Sequence, residues 1–279
     1  MGLRVQILGA TRLARVVVPY LLERRAVRVV GLDPGEEDES LPWFAPVRGL
    51  ARANGIAIGR VPADIVLDLD PDARPTRGEG PMLRVLAPPG ARSPDVNRAL
   101  LEGGAWGVAL VTPDGGGSWA RRSLDVPEGA DAEALLDYAT TRAVEALDEG
   151  WEALVAGAPA VPLERPLIAG RFRPQEAYVL WAHPAARIAA RVRGCAGPWG
   201  GARAQVGDNA VYLLDARVVS DVTPEGFDAG TIVRLDDGVE LATGRGVVRI
   251  ERLRPGWRPP RAAGAYLREV GLSEGYQLL

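Results

Sequence analysis

The opening stretch LRVQILGATRLARVVVPYLLERRAVRVVGLD constrains the fold more than any other part of the chain. An apolar run over 3–8 meets Gly9, a segment of helical apolar spacing follows, and a β-branched run over 27–32 ends at Asp33. Strand, tight turn, helix and strand make a βαβ unit, and its crossover connection implies a parallel sheet. The turn at Gly9 and Thr11 opens a helix N-terminus, a place that can hold an anion or the polar edge of a cofactor. The dinucleotide fingerprint is incomplete there, because GATRLA supplies Gly9 and no further glycine for a close pyrophosphate approach. Asp33 stands where a ribose-binding acid would be, and Asp33-Pro34-Gly35 reads equally as a turn.

Further along, Glu36, Glu37, Asp38 and Glu39 form an acidic loop, and a helix over 47–54 stops at Gly55. Apolar runs at 65–69 and 82–86 give two more strands, the second running into a rigid Pro88-Pro89-Gly90 turn. A helix over 94–102 is expected, with Ser93 as N-cap and Pro94 at its first position. AWGVALVTPDGGGSWARRSLDV then reads as a strand, a glycine loop and a further strand or hairpin arm, before a long amphipathic helix over 131–155. After Trp151 the pattern changes to Pro- and Gly-rich sequence, then a helix over 184–193, several short alternating strands and a closing helix over 262–270. The division expected is an α/β domain at 1–158, a linker at 159–173 and, at 174–279, a small β-barrel or curled sheet.

Composition removes several kinds of chemistry. One cysteine, Cys195, excludes an internal disulfide and a thiolate metal cluster, and one histidine, His183, leaves no material for a histidine metal site. No metal is expected. All 33 cationic side chains are arginine, which excludes a Schiff-base lysine and a lysine phosphate loop. No apolar run approaches the roughly 20 residues of a membrane span, and the N-terminus runs straight into a strand without a signal-peptide pattern. The expected location is therefore the cytoplasm, without membrane contact. Gly115-Gly116-Gly117 reads as an anion-cradling loop or as a hairpin tip. Arg249, Arg252, Arg254, Arg258 and Arg261 with Trp257 read as a nucleic-acid surface or as the solvent face of a strand.

The second half carries a resemblance. Leu180-Trp181-Ala182, Pro184-Ala185, Val192-Arg193, Pro198-Trp199-Gly200-Gly201-Ala202 and Leu214-Asp215-Ala216 stand in the order of motifs in the C-terminal domain of the methionyl-tRNA formyltransferase family, shared with amino-sugar formyltransferases. AGTIVRLDDGVELATGRGVVRIERLRP is similar to the family's closing strands, and LARANGIAI and ADIVLDLD resemble its N-terminal half. The resemblance implies a Rossmann-like formyltransferase domain, an OB-like C-terminal domain, 10-formyltetrahydrofolate as donor and an amine acceptor, methionyl-tRNA or an amino sugar.

Family members carry Asn-x-His on the strand corresponding to LRVLAPPG and an Asp in a Gly-x-Asp-x-Gly turn. That chemistry uses the Asn and a protonated His to stabilise the oxyanion, and the Asp to hold the His and move protons. Here the resemblance puts Arg84 at the Asn position, Leu86 at the His position and Ser118 at the Asp position, with Asp114 as a stand-in where the loop register slips by one or two residues. Gly9, Thr11, Leu86 and Gly116 are the positions where a ligand is expected. The segment PDARPTRGEGP replaces a longer folate loop, and the acidic loop 36–39 opposes a tRNA backbone. The expectation is a pseudoenzyme with a binding or scaffolding role toward a small molecule or protein partner. The alternative is an active formyl or acyl transferase in which Arg84 stabilises the oxyanion and Asp114 or Ser118 completes the site.

Overall fold

The computed structural model describes residues 2–35, 39, 44–69, 80–86, 95–164, 167 and 172–278, with Val85 by its backbone alone. The expectations for Pro88-Pro89-Gly90, Ser93 and Pro94, for Glu36, Glu37 and Asp38, and for most of the PDARPTRGEGP segment lie outside these residues. The chain divides into two compact units, Met1–Pro127 with Ala134–Phe172, and Glu128–Glu133 with Arg173–Leu279.

The first unit runs β1 (Leu3–Leu8), α1 (Arg12–Leu22), β2 (Val27–Asp33), α2 (Arg48–Ala53), β3 (Ala57–Ile58), β4 (Ile65–Asp68), β5 (Met82–Leu86), α3 (Arg98–Glu102), β6 (Trp106–Val111), β7 (Gly117–Leu124), α4 (Ala132–Val155) and β8 (Val161–Pro162). The strands form one sheet of order β3-β2-β1-β4-β5-β6-β7-β8. From β3 to β5 it is parallel, as the βαβ opening implies, and from β5 to β8 it is antiparallel. The change of direction comes at β5–β6, across the connection that holds α3. The antiparallel step from β6 to β7 follows from their short turn, which can return a strand only antiparallel to its neighbour.

Side-chain alternation gives this sheet two different faces. Val5, Ile7, Leu67, Leu83, Val108 and Leu110 are at most 1% exposed and form the apolar core face. On it α4 approaches closely: a Cβ at Gly150 would stand 2.9 Å from Leu110 Cδ2 and 3.1 Å from Ala120 Cβ. Met82, Arg84 and Leu86 alternate onto the opposite face, which β4 continues with Asp68, in register with Met82. That face is buried yet partly polar, since Gln6, Asp68 and Arg84 are all 4% exposed or less. Helix α3 begins at Arg98, four residues after the expected start, with Asn97 at its cap position and no side-chain cap hydrogen bond.

The second unit holds a 3-10 turn at Pro174–Ala177, α5 (Ala185–Gly194), a 3-10 turn at Gly197–Trp199, then β9 (Ala202–Val206), β10 (Asn209–Leu213), β11 (Ala216–Ser220), β12 (Ile232–Leu235), β13 (Val239–Ala242), β14 (Val247–Ile250), β15 (Arg252–Pro255), β16 (Arg261–Ala262) and α6 (Ala263–Glu269). These strands make two antiparallel four-stranded sheets, β16-β15-β10-β9 and β11-β14-β13-β12. Alternation along β13 and β14 buries Val239, Leu241, Val248 and Ile250 and leaves Glu240 and Arg249 on the other side. There Arg249 meets three carboxylates, Asp236 at 2.6 Å, Glu251 at 2.8 Å and Glu240 at 3.2 Å. The guanidinium hydrogen bond, with a backbone donor from Gly238, holds the Asp236 carboxyl down at about 2.

Candidate functional site

The site expected from the sequence is the end of β5 with the β1–α1 turn and the β6–β7 hairpin. Arg84 lies mid-strand on the polar face of the sheet, 4% exposed. Its guanidinium Nη2 is 3.5 Å from Asp68 Oδ2, with side-chain exposures of 4% and 6%, and 3.0 Å from the Met82 sulfur. A buried charge needs a counter-charge, because desolvation otherwise costs several kcal/mol. Asp68 supplies one from the neighbouring parallel strand, so the pair is a strut between β4 and β5.

Leu86, at the third position of the strand's polar face, packs instead against Met82, Ala109 and Val111 together with Leu163 and Leu167. This is an apolar cluster, suited to a leucine and hostile to an imidazolium. The segment after α4 supplies its cover: β8 pairs with Gly117 and Ser118, and Leu163 N donates to Gly116 O at 3.0 Å. Ser118 is 7% exposed in β7, opposite Val111. Arg84 is opposite Ala109 on the other side of β6, so roughly 10 Å of sheet separates the Arg84 and Ser118 backbones.

The glycine loop is a hairpin tip whose donors are spent within it. Gly115 N donates to Thr112 O, Gly116 N to Asp114 Oδ1 and Gly117 N to Thr112 Oγ1, at 2.9, 3.0 and 3.0 Å. Asp114 is exposed and also accepts from Thr112 Oγ1 at 2.5 Å. An anion cradle needs convergent free N–H groups, and the three glycine amides are already donated. At the β1–α1 turn, Gly9 takes a φ of 107°, a conformation that favours glycine, and its N–H bonds Asp33 O at 2.9 Å. Thr11 caps α1 by accepting from Ala14 N and donates its hydroxyl to Leu69 O at 2.9 Å, tying the turn to the end of β4. Asp33 accepts from Gly35 N at 3.2 Å and from Arg60 Nε at 3.0 Å, the turn arrangement rather than a free ribose acid.

Among the buried polar residues that the sequence reading did not single out, two lie in β4 and just before α3. Asp68 is one; in ADIVLDLD it looks like an alternating outward acid, and only the sheet register places it beside Arg84. Asn97 is the other, fully buried with both amide atoms lacking a hydrogen-bond partner, between Asp95, which accepts from Phe172 N, and Arg98, stacked over Phe172 at 5.1 Å. A helical position next to an expected N-cap gave no signal of such burial.

The C-terminal arginine group is divided. Arg249 is enclosed by carboxylates, Arg252 bonds Asp215 at 2.7 Å and Arg261 bonds Glu269 at 2.6 Å. Arg203, Tyr212 and Arg254 are cross-strand neighbours on β9, β10 and β15, with Arg203 5.3 Å and Arg254 4.6 Å from the Tyr212 ring centre. Trp257, in the turn that follows, is 98% exposed. His183 sits before α5, its pKa lowered by burial and by Arg187 and Arg191, and Cys195 is buried. Among the described residues no group of acidic, histidine and cysteine side chains could hold a metal ion, and no helix is long and apolar enough to cross a membrane.

Sheet order and strand directions thus define a two-unit α/β protein whose candidate catalytic strand carries a buried ion pair and an apolar cluster. Residues 171–270 match the formyl transferase C-terminal domain. The methionyl-tRNA formyltransferase of Roseiflexus castenholzii is 26% identical over 100% of this chain and 99% of its own length. That of Halorhodospira halophila is 31% identical over 64% of this chain and 60% of its own. In fold, the chain is similar to HypX from Aquifex aeolicus in complex with tetrahydrofolic acid, with a TM-score of 0.65, 20% identity and 98% of this chain covered. It spans 49% of the HypX chain. WlaRD, a sugar 3N-formyl transferase, gives a TM-score of 0.67 at 10% identity, covering 93% of this chain and 100% of its own. The likeness to formyltransferases thus extends over the whole chain, with the matched domain at 171–270.

Proposed function

We infer that this chain is a member of the formyltransferase family that does not transfer formyl groups and acts through binding, to a small molecule or a protein partner. The observation that carries this reading is the state of Arg84: its guanidinium is buried against Asp68 and the Met82 sulfur, on the strand where an oxyanion donor would have to face a substrate. Arginine keeps its proton at neutral pH and shuttles none. Leu86 beside it has no proton to move and closes an apolar cluster. Asp114 and Gly116 spend hydrogen bonds within their own hairpin tip, and Ser118 stands two strands away from Arg84.

In this reading the described residues do not fit catalysis on a bound 10-formyltetrahydrofolate. Binding of a folate is a separate matter from transfer, and HypX is a relative in fold that takes tetrahydrofolic acid. In this reading residues 1–158 and 174–279 are the two working parts, joined by 159–173, and the setting is the cytoplasm.

The test is incubation of the purified chain with 10-formyltetrahydrofolate and an amine acceptor, methionyl-tRNA or an amino sugar. Binding is read by calorimetry and tetrahydrofolate release by absorbance. No release above the rate without protein is expected. Release that falls sharply in Asp114→Asn or Ser118→Ala would overturn the reading and establish the transferase alternative.

A further inference from the structure

The sheet β11-β14-β13-β12 treats its two edges differently. Beyond β12 the C-terminal segment adds itself to the edge: Gly275 N donates to Ile232 O, Ile232 N to Tyr276 O and Leu278 N to Gly230 O, at 2.8, 2.8 and 2.9 Å. Beyond β11, no backbone partner is present among the described residues. An open strand edge is a template for another chain, and proteins that stay apart cover it or place proline or lysine on it. Here β11 reads Ala-Arg-Val-Val-Ser, without proline, in a chain that has no lysine, and its one charged side chain is Arg217.

The side chains on this edge are apolar as well. Val218 is 38% exposed, Val219 43% and, just past the strand, Val222 73%. The register shift between Val218 and Ser220 explains why two consecutive valines reach solvent, where regular alternation would bury one of them. Single exposed valines are ordinary, but three within five residues make a contiguous patch.

Charge identifies the occupant. Arg217 and Asp221 lie two residues either side of Val219, both exposed, with Arg217 63% exposed and only loosely held by Glu251 at 3.4 Å. Under a two-fold axis through Val219, with the strands antiparallel, Arg217 of each copy meets Asp221 of the other, and the valines meet at the centre. Opposite charges at equal distance from one residue give self-complementarity, which is what a two-fold contact demands, with an apolar centre and a charged rim. A partner of another kind has no need of that symmetry. We propose that the β11 edge is the contact between two copies of this chain, independent of whether the N-terminal unit transfers formyl groups. A contact this small belongs at the weak end of specific interfaces, so a dissociation constant in the micromolar range, on the order of 10 μM, is expected.

Sedimentation velocity of the full chain across that concentration range tests it. The wild type is expected to shift from monomer to dimer. Arg217→Asp, which sets four acidic groups at the contact, is expected to weaken association by about tenfold, and Asp221→Arg likewise. The double variant Arg217→Asp/Asp221→Arg restores opposite charges and is expected to return the wild-type constant. Thermal unfolding of each variant, read by circular dichroism, verifies that all are folded. A wild type that stays monomeric throughout, a dimer indifferent to either single reversal, or a double variant no better than the singles would each overturn the proposal.

Discussion

Replacing Arg84 with methionine keeps an unbranched apolar stem and removes the charged guanidinium. Asp68, 6% exposed at its side chain and 3.5 Å from the guanidinium, then loses the cation beside it. Removing one member of a buried pair costs about 3–5 kcal/mol, because the remaining charge stays desolvated. For a unit of this size each kcal/mol lowers the melting temperature by about 2–4 °C, so a fall of roughly 6–20 °C is expected. Asp68→Leu should cost a similar amount. The double variant Asp68→Leu/Arg84→Met is the informative one: replacing both charges by apolar groups is often neutral or stabilising, so the two losses must cancel rather than add. The assay is urea and thermal unfolding of all four proteins by circular dichroism, analysed as a double-mutant cycle. Additive losses, or an Arg84→Met protein within about 1 kcal/mol of wild type, would refute the claim that Arg84 is a strut.

Three further outcomes follow from other parts of the molecule. Gly107→Ala places a Cβ 2.0 Å from the Arg122 carbonyl oxygen, so β6 and β7 must separate locally, and a loss of about 1–3 kcal/mol or more in urea unfolding is expected. Asp236 is held at about 2 and Glu251 is also lowered, both first by their hydrogen bonds to Arg249. A lowered carboxylate stabilises the fold above its unfolded pKa, and that contribution is lost as pH falls through the folded value. Wild-type stability should therefore drop between about pH 4 and pH 2, and Arg249→Met should show a shallower acid limb in pH-dependent melting. Leu86→His with Arg84→Asn and Ser118→Asp restores the family's residue types, yet it puts an imidazole among Met82, Ala109, Val111, Leu163 and Leu167. Formyl transfer from 10-formyltetrahydrofolate is expected to stay at background in that protein, and measurable turnover would count against the seal around Leu86.

What could be read from the sequence was whatever depends on near neighbours. The β1–α1–β2 opening, the strand at 82–86 and the long helix at 132–155 all announce themselves by local apolar period and by glycine or proline at their ends. The assignment of Arg84, Leu86 and Ser118 to the family's Asn, His and Asp positions rests on the resemblance alone, while their burial comes from the sheet. Strand direction past β5 was not legible, since an apolar run is the same string in either direction and β6 runs antiparallel to β5 across a connection that contains a helix. Helix α3 starts late because a capping pattern states where a helix can begin, while tertiary contacts of Asp95 with Phe172 N hold the residues before Arg98 outside it. The role of Asp68 was hidden for the same reason. It depends on the register Asp68↔Met82, which joins positions far apart in the chain.

The Asp68–Arg84 pair also bears on how this chain can change over generations. A descendant that acquired asparagine at position 84 would first carry an acid buried without that arginine, and one that lost the acid first would bury the arginine without its carboxylate. Each intermediate gives up a large part of a margin of about 5–15 kcal/mol, enough to reduce the amount of folded protein in a cell. The two charges must leave together, or other stabilising changes must come before. A pair of side chains 3.5 Å apart thus works as a ratchet, making the exchange of either charge a rare double event while leaving the rest of the fold free to drift.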